Sequence, residues 1–354
     1  MSGDAAVARA PTGAQIDSGT RRRRQLVLAL ALAAVMLVLF GLAIGSEGIS
    51  WSSFMADVRG DQAALIFGQI RAPRTIGAFA VGALLGLAGA VAQGLFRNPL
   101  ADPYLLGSAS GATLAVVLVL AASELTGNVL SAGAAQILMR IGLVIAAFVG
   151  ALVGVLLTLA ISQGARHTLR LLLGGVVVGV VLGALSDLVT SFAPEALRSK
   201  QMFMLGSTGY LSWSSVFVLA AGLVFLVPLA LRFARFLDAM TLGEDTAASL
   251  GLQPSRARIW LVLLLALGTG IAVSQAGLVA FVGLVSPHLV RRFAPSASGY
   301  TVAVSAVAGG VLLMAADVVA RALIAPQELP VGIVTAVLGG GYLMWLLYRR
   351  SLLS

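Results

Sequence analysis

The chain has 354 residues, of which 59% are hydrophobic and 10% charged, with a mean hydropathy of +1.00 and a formal net charge of +9. A soluble globule would carry about 25% charged residues, so the composition excludes an ordinary soluble domain. Cysteine is absent, which excludes disulfides and thiol chemistry, and two histidines, His167 and His288, argue against a histidine-rich metal site. The arginines cluster between apolar runs and not on a soluble face, so the positive charge does not read as nucleic-acid binding.

Residues 1–24 are expected to form a disordered cytoplasmic tail, rich in Ala, Gly, Ser and Thr up to the tetrad Arg21, Arg22, Arg23 and Arg24. The tetrad and the apolar run after it have the order of a signal peptide. That run is too long for a typical signal core and the small-residue site at Ala43-Ile44-Gly45 is weak, so it reads as an uncleaved first span. A helix needs roughly 20 apolar residues to cross about 30 Å of hydrocarbon. Runs at 25–44, 74–95, 104–122, 138–161, 169–192, 213–233, 258–273, 277–290, 301–320 and 331–347 meet or approach that length and predict about ten transmembrane helices. They do not alternate as barrel strands would, so the fold class is all-α, a polytopic membrane protein with a single permease domain at 25–350. The seventh and eighth runs are short and flank Ser274-Gln275-Ala276-Gly277, so a single broken helix is the alternative there.

Glycines fall in patterns. Gly82-x-x-x-Gly86 on the second span is a small face suited to close helix packing. Gly175, Gly179 and Gly183 share one face of the fifth span and suit either a subunit seam or a smooth pathway wall. Asp187 continues that face one turn later, either facing the same space or solvated at the outer mouth.

The distribution of basic residues sets a topology. With the N-terminus in the cytoplasm, Arg9, Arg21 to Arg24, Arg97, Arg166, Arg170, Arg232, Arg235, Arg256, Arg258, Arg291, Arg292, Arg349 and Arg350 lie inside, and Arg59, Arg71, Arg74, Arg140, Arg198, Lys200 and Arg321 lie outside. Both termini are then cytoplasmic.

Lys200 is the only lysine, so no G-x-x-x-x-G-K-[ST] phosphate loop exists and the chain cannot hydrolyse ATP in the P-loop manner. Transport is then passive, ion-coupled or driven by a separate ATPase. The stretch 241–251 reads as a short loop helix. Thr241 and Glu244 form a capping box, Glu244 and Asp245 suit the positive end of the helix dipole, and Gly251 ends it. It is too short to stand alone. It lies either on its own chain or the lipid surface, or in the grip of a cytoplasmic ATPase. Thr241, Leu242, Gly243, Glu244, Asp245, Ala248, Leu250 and Gly251 are the candidate coupling residues. In Arg97-Asn-Pro-Leu-Ala-Asp-Pro103 two prolines force an ordered turn between spans.

The order of Arg71-x-Pro-Arg74, Gly82-Ala83, Gln93, Arg97-Asn-Pro-Leu-Ala-Asp-Pro103, Leu106-Gly107 and Gly111-Ala112 resembles the permease family that imports vitamin B12, haem and ferric siderophores. Leu205-Gly206-Ser207, the loop from Leu242 to Gly251, Gly283-Leu284-Val285-x-Pro287-His288-x-x-Arg291, Ala316-Asp317 with Arg321, and Glu328-Leu-Pro-Val-Gly332 agree with it. The resemblance runs from Phe67 to the C-terminus. It implies a BtuC-like, homodimeric type II ATP-binding-cassette importer with ten spans per subunit. Two cytoplasmic ATPases would grip the coupling helices, and a periplasmic binding protein would deliver substrate. It also implies that Arg71, Arg74 and Arg321 receive acidic residues of that binding protein. Anchoring at lipid headgroups is the alternative for Arg71 and Arg74. For Arg321 it is an ion pair with Asp317, four residues earlier.

His288, near Arg291 and Arg292, reads as a helix-end or ATPase contact and not as a haem ligand, and His167 as solvated in a cytoplasmic turn. No nucleophile, carboxylate pair or cofactor motif points to an enzyme. An ion-coupled secondary transporter would place ionisable groups near the midplane, which here is nearly free of charge. The apolar stretch 171–185 suits a large, partly hydrophobic chelate better than a bare cation, which wants oxygen ligands. Haem, another iron chelate and cobalamin are not told apart by these residues. Haem or another iron chelate is preferred because iron uptake is common in the family.

Overall fold

A computed structural model describes residues 13–45, 55, 58, 60, 62–126, 132–164, 167–243, 249 and 253–351. Among the described residues the chain forms eleven helices of twelve residues or more: α1 (Gly13–Ala43), α2 (Ala72–Phe96), α3 (Ser108–Thr126), α4 (Ala132–Ile161), α5 (Thr168–Phe192), α6 (Pro194–Leu205), α7 (Trp213–Thr241), α8 (Pro254–Ala276), α9 (Val282–Phe293), α10 (Ser298–Ala322) and α11 (Val331–Ser351). Seven of the described helices are long and apolar enough to cross a membrane. The chain is a polytopic, all-helical membrane protein.

Each of the ten predicted runs falls on one of these helices, with informative shifts at the ends. The seventh and eighth runs are separate helices, α8 and α9. The second starts only at Val282 and has 12 residues, about 18 Å of helix. The stretch 277–281 before it is not helical. Between these helices Gly277 turns the chain with φ 70 and Phe281 with φ 66. The third helix begins at Ser108 and not at Tyr104, because 97–107 forms consecutive turns. Its proline motif explains them: the Asn98 side chain accepts the N–H of Leu100 and the Asp102 side chain accepts that of Tyr104, each an Asx turn that starts where a proline follows.

Two expectations are corrected. The arginine tetrad, assigned to a disordered tail, lies inside α1, which begins at Gly13; residues 1–12 lie outside the described residues. Thr241, assigned as the first residue of a new helix, is the last residue of α7, and its hydroxyl donates to the Asp238 carbonyl at 2.6 Å. An N-cap hydroxyl would accept an N–H instead. Leu242 and Gly243 (φ 111) form the turn that follows. Glu244, Asp245, Ala248, Leu250 and Gly251 lie outside the described residues.

Helix α2 is the axis of the bundle. Pro73 fits its first turn, and it stays buried from Gly77 to Ala80 on one face and almost all round from Ala80 to Gln93. A helix apolar on every side has no surface to give to water or lipid. Around it pack α7, α8, α9 and α10. The Gly82-x-x-x-Gly86 face, with Gly89, is where this happens most closely. Gly82 and Gly309 each sit against the other's carbonyl, Gly86 against the Ser305 carbonyl and Gly89 against Gly283. A second group, α3, α4 and α5, uses the same device at Gly111 and Gly150. In lipid, close van der Waals approach replaces the hydrophobic drive between helices, so small residues mark the seams. The outward faces of α1, α5 and α7 expose Leu32, Val180, Phe217 and Phe225, apolar surface facing away from the core.

Filling the central seam is therefore costly. Gly82→Ala should destabilise the protein by about 1–3 kcal/mol, read as a lower thermal midpoint in detergent. Gly142→Ala, where nothing lies within 4 Å of the added Cβ, should leave the midpoint unchanged or raise it.

Candidate functional site

Three arginines singled out from the sequence gather at one end of the bundle, remote from the N-terminal tetrad. Arg71 closes a π-helical stretch, Ile66–Arg71, that leads into α2. Its Nη1 donates to the carbonyls of Leu42 (3.0 Å) and Ala43 (3.4 Å), and its guanidinium lies 4.9 Å above the Phe67 ring. Arg321, on the last turn of α10, donates from Nη1 to the carbonyls of Gly41 (2.8 Å) and Ile44 (3.0 Å). Both arginines thus hold the unpaired carbonyls at the end of α1, where cations belong.

Asp317 sits between the helices with no exposed surface. Its Oδ2 accepts Arg321 Nη2 at 2.7 Å, and its Oδ1 accepts Arg74 Nε at 3.0 Å and the Thr208 hydroxyl at 2.5 Å. The guanidinium of Arg74 continues outward, and its Nη1 meets both oxygens of Glu328, at 3.0 and 2.9 Å. Of the three docking candidates, Arg321 is 1% exposed in this conformation. Its guanidinium serves Asp317 and the end of α1. Arg71 is similarly turned inward, and Arg74 is the one whose outer nitrogen reaches the rim. Thr208 and Glu328 belong to this network although no rule of spacing assigns them to it. Their sequence signals are positions: Thr208 directly follows the motif Leu205-Gly206-Ser207, and Glu328 opens Glu328-Leu-Pro-Val-Gly332.

Below the cluster, broken backbone gathers. The end of α6 and the stretch after α8 pair through Leu278 N–H to the Phe203 carbonyl (2.9 Å) and Ser207 N–H to the Ala276 carbonyl (2.8 Å). Gly206 turns away with φ 64, against Leu278, and Gly332 at the start of α11 abuts the Leu205 carbonyl. From the opposite end, 97–107 folds back along α4 and α5. Gly107 packs on Gly154, Leu105 on Gly175, and the Leu106 carbonyl accepts the Thr158 hydroxyl. Gly154 and Gly175 lie seven residues from the ends of α4 and α5, so the loop reaches about 10 Å inward. The Tyr104 hydroxyl donates to the Val279 carbonyl at 3.3 Å and joins the two breaks. Non-helical backbone at such depth is tolerated where protein satisfies it or where it lines a cavity. Here it does both. A cavity of about 370 Å³ is lined by Tyr104 and Ala109, Met204 and Leu205, Leu278 and Ala280, and Gly332, Ile333, Ala336 and Val337. Its wall is almost wholly apolar.

The glycine stripe of α5 changes use along its length. Gly175 is spent on the folded-back loop, Gly179 faces Ser110 at 3.7 Å, and Gly183 has open space. Asp187 is exposed and pairs with Lys200 of α6, which ties α5 to the helix after it. At the tetrad's end, Arg23 donates to the Pro295 carbonyl and His288 meets Tyr342 edge-on, 5.8 Å between centroids. Among the described residues no group of three or more His, Asp and Glu could hold a metal ion.

The model of the FecCD transport family matches residues 31–349. The chain is 34% identical over 333 residues to the hemin transport system permease protein HmuU of Yersinia pestis, covering 93% of this chain and 97% of that protein. It is 32% identical over 325 residues to the Fe(3+) dicitrate transport system permease protein FecD of Escherichia coli, covering 92% and 98%. It is 39% identical over 331 residues to the vitamin B12 import system permease protein BtuC of Serratia proteamaculans, covering 93% and 94%. A solved inward-facing structure of a metal-chelate type ABC transporter aligns with a TM-score of 0.77 at 27% identity, over 92% of this chain and 99% of that one.

Asp317→Asn would leave the buried Arg321 guanidinium and the inner nitrogen of Arg74 without the charge they share. It should cost about 3–5 kcal/mol, measured by thermal or denaturant unfolding in detergent. Glu328→Gln at the rim should cost less than about 1 kcal/mol.

Proposed function

This chain belongs to the FecCD transport family, and from that premise we propose that it moves an iron chelate, haem or a ferric siderophore, from periplasm to cytoplasm. It is the permease subunit of an ATP-binding-cassette importer, the ATP being hydrolysed by a separate subunit and the cargo brought by a substrate-binding protein. Transport by alternating access would couple ATP binding in two cytoplasmic ATPases to the bundle through 241–251, around a pathway shared by two copies of the chain. The inner membrane is the proposed location, with both termini cytoplasmic as the arginine distribution favours.

The observation that carries the cargo reading is the cavity where the broken segments meet. Half-buried, irregular backbone beside a cavity is where transporters place their substrate. Its apolar wall favours a large chelate with hydrophobic surface over a bare cation, which would need a cage of oxygens. Cobalamin is the second reading, favoured by the 39% identity to BtuC, and it fits the same wall. A seam or wall role for Gly179, Gly183 and Asp187 is part of the same proposal, since among the described residues nothing lies within 4 Å of a Cβ added at Gly183.

Two tests separate these proposals. Vesicles holding the permease with its ATPase and binding protein should take up haem or a ferric siderophore on addition of ATP. Ala336→Trp, which fills the cavity, should cut that uptake by roughly tenfold or more while ATPase association is unchanged. Uptake of cobalamin alone would transfer the assignment to the second reading. Proline at Ala247 should disrupt a coupling segment that follows the turn at Gly243 and uncouple ATP hydrolysis from uptake; normal uptake in that variant would remove the coupling role.

A further inference from the structure

Arg74 holds two carboxylates of different standing. Asp317 grips Nε from the interior and is itself fixed by Arg321 and the Thr208 hydroxyl. Glu328 grips Nη1 from the rim with its side chain 32% exposed, against 11% for Arg74 and 1% for Asp317. Among the described residues the Glu328 side chain bonds to Arg74 alone. Gly209 lies beside the pair, where an added Cβ would make van der Waals contact at 3.9 Å with both Arg74 Nη1 and Glu328 Oε2. The three arginines outnumber the two acids, so the cluster as a whole keeps an excess positive charge.

We propose that Glu328 is an internal stand-in for a carboxylate of the binding protein. On docking, an acidic side chain of the partner takes Arg74 Nη1, and Glu328 leaves. This rests on the docking role of Arg74, and it adds the group that competes for the same nitrogen. The chemistry favours exchange at this position and not at Asp317. Both Glu328 oxygens converge on the single nitrogen Nη1, so a carboxylate that takes this nitrogen excludes the other. An ion pair with one partner open to solvent gains little net free energy, so a better-placed carboxylate displaces Glu328. Asp317, buried and triply bonded, stays and keeps Arg74 aimed outward.

The exchange has a structural consequence. Glu328 lies three residues before Val331, where α11 begins, and Gly332, Ile333 and Ala336 of that helix line the cavity. The Leu329 N–H remains on the Ala320 carbonyl at 3.1 Å, so the segment stays attached to α10 while its ionic tether to α2 opens. Docking would thus loosen the start of a cavity wall. Glu328 would also act as a specificity filter, since an acidic protein lacking a carboxylate in the right place cannot replace it.

The test uses the permease–ATPase complex in nanodiscs and its binding protein in biolayer interferometry. Glu328→Gln should tighten docking by about fivefold, the size of one lost competing ion pair, and Arg74→Gln should weaken it. The chain has no cysteine, so a nitroxide on Gln327→Cys, an exposed site, reports on the tether and needs no change at Arg74. Its spectrum should sharpen when the binding protein is added. Weakened or unchanged docking in Glu328→Gln, or an unaltered nitroxide spectrum, overturns the exchange while a loss in Arg74→Gln keeps the docking role. Unchanged docking in a folded Arg74→Gln protein overturns both.

Discussion

One buried carboxylate, that of Asp317, joins α2, α10 and the chain after α6, and through Arg321 it reaches the end of α1. Taking a carboxylate and two guanidiniums out of water is expensive, and their attraction offsets that only when every remaining lone pair and N–H is used. Here, among the described residues, all the Asp317 side-chain bonds come from Arg321, Arg74 and Thr208. Arg321 and Arg71 turn their spare donors to the carbonyls of Gly41, Leu42, Ala43 and Ile44, the electronegative end of α1. Arg74 turns its spare donor to Glu328. An apolar trio of the same volume could hold these helices as firmly. What the ionic form adds is direction: a guanidinium fork donates to its partners in one plane, so four segments are fixed in register and one edge of Arg74 is left facing outward.

The rigidity this gives matters because the middle of the molecule is not made of complete helices. Two segments, 97–107 and 277–281, carry peptide groups that no helix satisfies at depths where lipid offers no hydrogen bonds. They are covered by backbone pairing at Phe203 and Ala276, by the hydroxyls of Thr158 and Tyr104, and by glycine contacts that let the chain lie directly against a neighbouring helix. Such contacts fail if helices drift by even a fraction of an ångström. The glycine seam between α2 and α10 and the ionic cluster at its end therefore act on the same quantity, the separation of α2 from its neighbours.

Much of the bundle was legible because its signals are local. A run of apolar residues specifies a helix in lipid whatever its partners, and glycine or proline punctuation marks where it stops. Helix α6 was missed for the same reason: Glu195, Arg198 and Lys200 give it the composition of a loop, and what makes it a helix is Pro194 at its start and its packing against α3. Thr241 was misplaced because its spacing to Glu244 fits a cap, while the choice between ending one helix and starting another is made by how far α7 continues. The arginine cluster was half visible. The pair Asp317–Arg321 follows from an i,i+4 spacing. The partners of Arg74 lie 243 and 254 residues away, so no local pattern could show that a charge read as facing a partner is already held by its own chain.

The same holding of Arg74 by its own chain frames the docking proposed for it. Arginines left bare at a membrane surface would gather any anion, lipid headgroups included. Arginines fully buried could greet no partner. The chain grades the exposure of its three cations, with Arg321 and Arg71 spent on α1 and Arg74 divided between an inner and an outer acid. Only the outer half is exchangeable, and it is linked by a short segment to the helix that begins at Val331. A signal arriving as charge at the rim is thereby turned into freedom of a cavity-lining element. The buried half of the cluster, which cannot exchange, provides the fixed frame against which that element moves.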